Sequence, residues 1–402
     1  MLSFGAIAGW LAVAVWSYLL SAHGRFWSIR VAQFIPAPLQ PRPRDQRPPR
    51  IVAVIPARNE ASVIERGVRS LLQQRGNDLH IFVVDDNSTD GTAEAAQTAA
   101  NSNHVGAPHS SPAVGERVGV SERVTVIAGR PLPAGWSGKL WAVQQGVEQA
   151  LRLHPDYLLL TDADIEHAPD GVNTLVDLAE RGGYDLVSFM VKLHCRSVAE
   201  KLLIPPFVFF FFLLYPPEWV RDPRHRTAGA AGGCMLLRPA ALERIGGLAA
   251  IRTEIIDDCA LARAVKRSGG KVWLGAAAET HSLRRYNSFA GIERMIVRTA
   301  FNQLRHSVWL LLGTVLGMLL LFVLPIALMV SGSPLLAFAG AFAYGLMTFV
   351  YLPMVRDYGL NPLWTLTLPV AAVFYAWATI HSAVKYWLAR GGEWKGRAQD
   401  VA

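Results

Sequence analysis

Apolar positions fall in two patterns along this chain: long uncharged runs toward both ends, and short β-rich bursts in between. Residues 2–22, LSFGAIAGWLAVAVWSYLLSA, hold no charged side chain and match the roughly 20 residues a helix needs to cross a bilayer core. Runs at about 308–330, 335–354 and 364–386 are similarly long and nearly free of charge. The expected organisation is an N-terminal transmembrane anchor (1–24), a linker (25–49), a domain outside the bilayer (50–306), a C-terminal transmembrane region (307–388) and a basic tail (389–402).

Within the middle domain the bursts IVAVIPARNE, HIFVVDDNSTDG, RVTVIAGRP, YLLLTDADIE and YDLVSFMVKL alternate with helical stretches such as ASVIERGVRSLLQQ and KLWAVQQGVEQALRL. Strand alternating with helix predicts an α/β fold, a mainly parallel sheet covered by helices on both faces. Such sheets bind ligands beyond the carboxyl ends of their strands, and ARNE, DDNSTD and TDAD each follow a strand. Three separate pieces of sequence are thus expected on one edge. Residues 103–122 are rich in Gly, Ser and Pro and read as a surface loop. The segment 203–217 opens with LIPPFVFFFFLLY. It is too short to span, too apolar for an exposed loop and interrupted by two prolines, so it is expected to lie in the membrane interface, with a buried core segment as the competing reading.

Charge sharpens this picture. Only 17% of the 402 residues are charged, against 51% hydrophobic, and the net charge of +8 is uneven. Arg42, Arg44, Arg47 and Arg50 sit in the Pro-rich linker, and Arg284, Arg285, Arg294, Arg298 and Arg305 precede the second apolar run. The positive-inside rule then places the middle domain in the cytoplasm, on an integral protein of the cytoplasmic membrane. By the same rule an anchor plus three later spans would leave the basic tail outside, so one apolar segment is expected to be re-entrant or interfacial. Basic residues beside spans are accounted for by topology and anionic headgroups, so no nucleic acid is expected, and no protein partner. Cys195, Cys234 and Cys259 are too widely spaced for a disulfide framework or a zinc site. Neither G-x-G-x-x-G after the first strand nor a P-loop occurs.

Candidate chemistry starts at TDAD. Asp162 and Asp164 are close enough to repel, which calls for a positive counter-ion, and a divalent metal fits. Taken as a set and in order, VIPARNE (54–60), VVDDNSTDGT (83–92), GKLWA (138–142), DAD (162–164) and IIDD (255–258) resemble the inverting GT-A glycosyltransferases of family 2 over about residues 50–300. With the apolar ends and GWSGKLWA, the chain looks most like the membrane-bound lipid glycosyltransferases, the hopene-associated type of hopanoid biosynthesis above all.

The resemblance implies a GT-A cytoplasmic domain and assigns roles. Pro56, Arg58 and Glu60 would border the nucleotide-sugar, and Asp85 or Asp86 would bind its base and ribose. An acidic strand end suits N–H and hydroxyl donors, although Asn87, Ser88 or Asp90 as a helix N-cap explains the same residues. Asp164 would ligate Mg2+ or Mn2+, with Asp162 nearer the ribose or diphosphate, because hard cations prefer oxygen ligands. Lys139, at a helix start, would face the diphosphate, and His281 is a further candidate for the metal. The acidic pair opening a helix would supply the general base, Asp258 first, Asp257 and Glu254 behind it; acidic residues there also complement the helix dipole. AGAAGGCMLLRPAALERIGG (228–247) resembles the acceptor-side loop. Of the family's Q-x-x-R-W motif only Arg298 is present, Met295 and Thr299 replacing Gln and Trp, which argues against processive chain growth.

The expected activity is metal-dependent transfer of a hexosyl or N-acetylhexosaminyl group from a nucleotide-sugar, a UDP-sugar first, to a membrane lipid, a hopanoid among the candidates. A processive polysaccharide synthase and a catalytically silent membrane scaffold of the same fold are the alternatives.

Overall fold

The structure is a computed structural model that describes residues 4–28, 47–101, 123–388, 393–394 and 397–398. The 103–122 insertion, Arg42 and Arg44 of the linker and most of the basic tail lie outside the described residues. The chain forms two units, one of residues 33–193, 228–284 and 394–402, the other of residues 1–32, 194–227 and 285–393.

The first unit is built on a mixed sheet of β1 (Arg50–Ala57), β2 (Asp78–Asp85), β3 (Val124–Ala128), β4 (Tyr157–Thr161), β5 (Ile165–Glu166), β6 (Leu186–Lys192), β7 (Cys234–Leu237) and β8 (Val272–Ser282), in the order β3-β2-β1-β4-β7-β6-β8-β5. β3, β2, β1 and β4 run parallel, β6 runs parallel to β8, and β7 is antiparallel to both its neighbours. The central parallel strands β1 and β4 are nearly continuous apolar runs, as helices covering both faces of such a sheet require: every residue of β4 and all but the first of β1 are buried.

Register aligns the polar ends. Ala57 of β1 pairs with Asp85 of β2, and Leu160 of β4 with Val54 of β1, so the segments after 57, 85 and 161 leave from one edge, as expected. Antiparallel pairing of Thr161 with Cys234 sets the glycines before β7 beside the end of β4. The helix Ile64–Leu72 can approach the TDAD turn because residue 67 is glycine: a Cβ there would stand 2.9 Å from the Ala163 carbonyl oxygen.

In the second unit, the helices over Val308–Met329, Pro334–Asp357 and Pro362–Trp387 are long and apolar enough to cross a membrane, and Gly5–Ser21 is a shorter apolar helix. The ladder of the first long helix widens to a π turn at Leu319–Val323. There Trp16, fully buried, donates its indole N–H to the Leu321 carbonyl at 3.0 Å.

Pro205 and Pro206 lie inside a continuous helix, Val198–Leu214, rather than interrupting it. Tyr375 donates its hydroxyl to the Leu203 carbonyl (2.8 Å) beside the prolines, and a Ser197–Glu200 capping box fixes the helix start. Phe209 is 1% exposed and packs on Phe26 and Tyr351, while Phe210 packs on Phe322 and Tyr375. The aromatic run is therefore largely core of the helical unit, the competing reading of this segment, because the thirteen consecutive apolar side chains of Leu202–Leu214 point to every side of the helix and find partners within that unit.

Candidate active site

The site begins where β1 and β2 end. Their two following loops are stitched by hydrogen bonds: the Asn59 amide donates to Ser88 Oγ (3.0 Å), the Thr89 amide to Asn59 Oδ1 (2.9 Å), the Glu60 amide to Thr92 Oγ1 (2.8 Å) and the Ala61 amide to Asp90 Oδ2 (3.0 Å). Part of DDNSTD thus caps local backbone, the competing use of those residues. Asp86 is fully buried, and Arg58 Nη1 contacts both its carbonyl (2.5 Å) and its carboxylate (3.4 Å). Asp85, half-buried, accepts from the Ser88 amide at 3.2 Å. Each carboxylate therefore has a distinct setting, Asp86 as an inner anchor for Arg58 and Asp85 at the open strand end.

At the end of β4, Thr161 donates to the Gly233 carbonyl (2.8 Å) and meets His167 Nε2 at 3.0 Å. Because the Thr161 proton is committed to Gly233, His167 must donate from Nε2, which fixes its tautomer. Burial pushes His167 down to about 4, so it is neutral at physiological pH. This chain ties the TDAD turn to the glycine turn before β7. Sequence reading did not single out His167; only its burial beside Thr161 marks it.

The two aspartates of DAD face different cations. Asp164 accepts from Ser282 Oγ and from Arg284 Nε, both at 3.0 Å, and Arg284 Nη2 reaches Glu60 Oε1 at 2.6 Å. Asp162 pairs with Lys139 Nζ at 2.9 Å. Ser137 caps the helix Gly138–Leu151, which carries Lys139 in its first turn, and the same ammonium lies 3.5 Å from Asp257.

Asp257 and Asp258 open the helix Asp257–Arg267. Asp258 accepts from the Gly232 amide (2.8 Å) and the Cys259 amide (2.7 Å). Burial, with the adjacent Asp257 charge, pushes Asp258 up to about 6 against the pull of Lys139 and those amides. For Lys139 burial acts to lower the pKa, but the carboxylates of Asp162, Asp257 and Asp258 outweigh it and hold the ammonium charged. Pro56, Lys139, Asp162, Gly232 and Asp257 line one cleft, walled on its apolar side by Leu140, Leu160 and Leu261.

Residues from five stretches are thus brought together: Glu60 with Asp164 through Arg284, and Asp162 with Asp257 through Lys139. His281 is exposed on β8 opposite Glu166 and forms no group with the DAD carboxylates. Arg298 lies exposed in the helical unit, at the end of the helix Phe289–Val297. Arg284 was missed as a site residue because an arginine shortly before an apolar run reads as a topology charge. Arg47 and Arg50 share that fate: they pair with Asp156 (3.1 Å) and Asp78 (2.8 Å) respectively.

Among the described residues no three or more His, Cys, Asp or Glu side chains gather as a self-sufficient metal cage. Asp162 and Asp164 still fit a hard divalent ion that draws its remaining oxygens from a diphosphate, the usual manner of Mg2+ at phosphate sites. Each already holds a cationic side chain, so the carboxylate pair is built to face positive charge.

This sheet and its polar edge define a GT-A-like α/β glycosyltransferase fold. Residues 52–246 match the profile described as glycosyl transferase family 2. Among solved structures it is similar to a mannosyltransferase of Pyrobaculum calidifontis in complex with GDP-mannose and Mn2+, at 18% identity and a TM-score of 0.53, with 94% of this chain and 99% of that chain covered. Also similar are Staphylococcus aureus TarS 1–349 in complex with UDP-GlcNAc (13% identity, TM-score 0.37, 85% and 92% covered) and mannosyl-3-phosphoglycerate synthase of Rubrobacter xylanophilus (20%, 0.37, 64% and 74%). At 18% identity the likeness to the Pyrobaculum calidifontis structure speaks for the fold alone. A comparison with curated proteins returns no match.

Proposed function

We propose that this protein is an inverting, membrane-bound glycosyltransferase that moves one hexosyl or N-acetylhexosaminyl group from a nucleotide-sugar to a hydroxyl of a membrane lipid, a polycyclic hopanoid among the candidates. The observation that carries the reading is Lys139, which joins Asp162, at the end of β4, to Asp257, 95 residues later in the acidic pair, across one cleft. A donor diphosphate seated there meets an ammonium held charged, and an acceptor hydroxyl meets a carboxyl tuned toward neutrality.

In the reaction the acceptor oxygen attacks the anomeric carbon as the bond from that carbon to the diphosphate oxygen breaks. Asp258 takes the hydroxyl proton, and a pKa near 6 leaves it ionised at pH 7 yet basic enough to act. Lys139 balances charge gathering on the leaving diphosphate. Mg2+ or Mn2+, when bound by Asp164 and Asp162, would add Lewis-acid stabilisation of the same charge. Asp85 and the Arg58-anchored loop would hold the nucleoside.

A lipid acceptor is supported by the three helices suited to crossing a membrane. The basic residues preceding the second apolar run favour a cytoplasmic catalytic domain. Met295 and Thr299, in place of Gln and Trp, favour a single transfer over chain growth.

The test is transfer by the purified, reconstituted protein from a panel of nucleotide-sugars to extracted lipid, with and without divalent metal. Asp164→Asn is expected to abolish metal-dependent turnover while the fold persists, since it removes charge but little volume. Unchanged activity at saturating Mg2+ and Mn2+ would overturn the metal assignment. Products bearing many sugars would favour the polysaccharide synthase, and no turnover of any donor the silent scaffold.

A further inference from the structure

Glu60 and Asp164 come from segments 104 residues apart by number, and one guanidinium, that of Arg284, bridges them: Nε to Asp164 Oδ2 at 3.0 Å and Nη2 to Glu60 Oε1 at 2.6 Å. Asp164 is 7% exposed and held from several sides, by Ser282 Oγ at 3.0 Å on the same oxygen and by the Leu283 amide at 2.7 Å on its carbonyl. The Glu60 backbone is fixed in turn by the hydrogen bond its amide donates to Thr92 Oγ1 (2.8 Å). The bridge is therefore a built feature of the site. A guanidinium does not lose its proton in proteins, so its charge is permanent.

We infer that Arg284 makes capture of the divalent metal conditional on the donor's diphosphate. Resting on the metal reading above, the inference asks what a divalent ion meets when it reaches Asp164. It meets a fixed positive charge within hydrogen-bond range of the same carboxylate oxygen, and like charges in a partly dry site repel strongly. The ion alone must displace the guanidinium from Asp164 and leave it beside a dication. A diphosphate arriving with the ion removes that penalty, because it supplies two or more negative charges and the planar oxygen pair a guanidinium grips best. Glu60 keeps Arg284 close while it exchanges Asp164 for phosphate. Metal and nucleotide then favour each other's binding by the same factor, as linkage requires. The consequence is a site that does not hold metal idle between turnovers.

The test is Mn2+ titration of the full-length protein in nanodiscs, with free Mn2+ read by electron paramagnetic resonance, alone and with UDP or GDP. Wild type should bind Mn2+ weakly alone and at least about tenfold more tightly with one of the diphosphates. Arg284→Gln should bind Mn2+ alone at least about tenfold more tightly than wild type and lose most of the coupling to nucleotide, because the competing charge is gone. Arg284→Lys, which keeps the charge but not the two-armed bridge, should fall between. Near-ultraviolet circular dichroism checks each fold, and should Arg284→Gln not fold, the lysine variant carries the comparison. Folded variants that bind Mn2+ alone no more tightly than wild type would overturn the inference. Asp164→Asn separates the two claims. If it binds Mn2+ as wild type does, or if wild type takes up no Mn2+ even with diphosphate, the metal reading itself fails and this inference with it.

Discussion

At Asp258 two demands on one carboxyl meet, since its oxygens accept from the Gly232 and Cys259 amides while burial and Asp257 resist its ionisation. If it is the base, kcat/KM should fall as pH drops through about 6, because protonation removes the proton acceptor. Asp258→Asn should slow transfer at least about 10²-fold, with donor affinity nearly kept. A larger kcat loss in Asp257→Asn would move the base by one residue. His167 gives a prediction of a different kind. The unfolded chain takes up a proton near the ordinary value of 6.5 that the folded protein refuses until about 4. Stability from this residue is full above pH 6.5 and falls as pH drops toward 4, by about 3 kcal/mol in all. In His167→Gln, which cannot titrate, the melting midpoint should vary less with pH across that window; an unchanged slope would show the imidazole is not neutral in the fold. Legibility at this scale followed chemistry in clusters: Asp162, Asp164, Asp257 and Asp258 announced themselves as pairs, whereas Arg284 and His167 act through partners distant in sequence and gave no local signal.

Among the elements, strands β1, β2, β3, β4 and β6 and the helices after β1 and β3 were legible because short β-rich runs alternate with helical stretches, and the strands buried on both faces, β1, β4 and β6, are nearly all apolar. β7 and β8 were not. β7 has four residues and sits inside a stretch read as an acceptor loop, and β8 is interrupted by GAAA, which lacks the β-branched signature. The helix Val198–Leu214 was misjudged because prolines 205 and 206 signal a break, yet its cap and its packing hold it straight through. Truncating Phe209→Ala should then cost roughly 3–5 kcal/mol and lower the yield of folded protein by fluorescence-detected size exclusion. Normal yield with selective loss of lipid use would instead make this phenylalanine an acceptor contact. Glu200 in the same helix is fully buried and accepts from the amides of Arg196 (2.9 Å), Ser197 (2.8 Å) and Tyr286 (2.7 Å) and from His194 (2.8 Å). Burial works to raise its pKa, but these donors outweigh it and hold the carboxyl down to about 2. Stability from Glu200 is therefore present above its ordinary 4.5 and lost as pH falls toward 2. Glu200→Ala, which strands the donors, should destabilise more than Glu200→Gln, measured as melting midpoints at pH 7.

For the whole molecule, the apolar runs at about 308–330, 335–354 and 364–386 gave the three long helices to within a few residues, since length and charge-free composition are the requirements for crossing a bilayer. The match of residues 52–246 to the family 2 profile was legible as an ordered set of motifs. The identity of sugar and lipid was not, because selectivity rests on the shape of a cleft lined by residues that many acceptors could touch. Carbonate washing should leave the protein in the membrane fraction, as three spanning helices require, and release by carbonate would remove the basis for a lipid acceptor. The central claim is that the cluster around Lys139 transfers one sugar to a lipid. It is met most directly by mass spectrometry of lipids from cells lacking the gene, complemented with wild type or with Asp258→Asn. The expected result is a lipid one sugar heavier in the wild-type complement and absent, or nearly so, in the variant. Identical lipids in both, or a polymeric product, would contradict it.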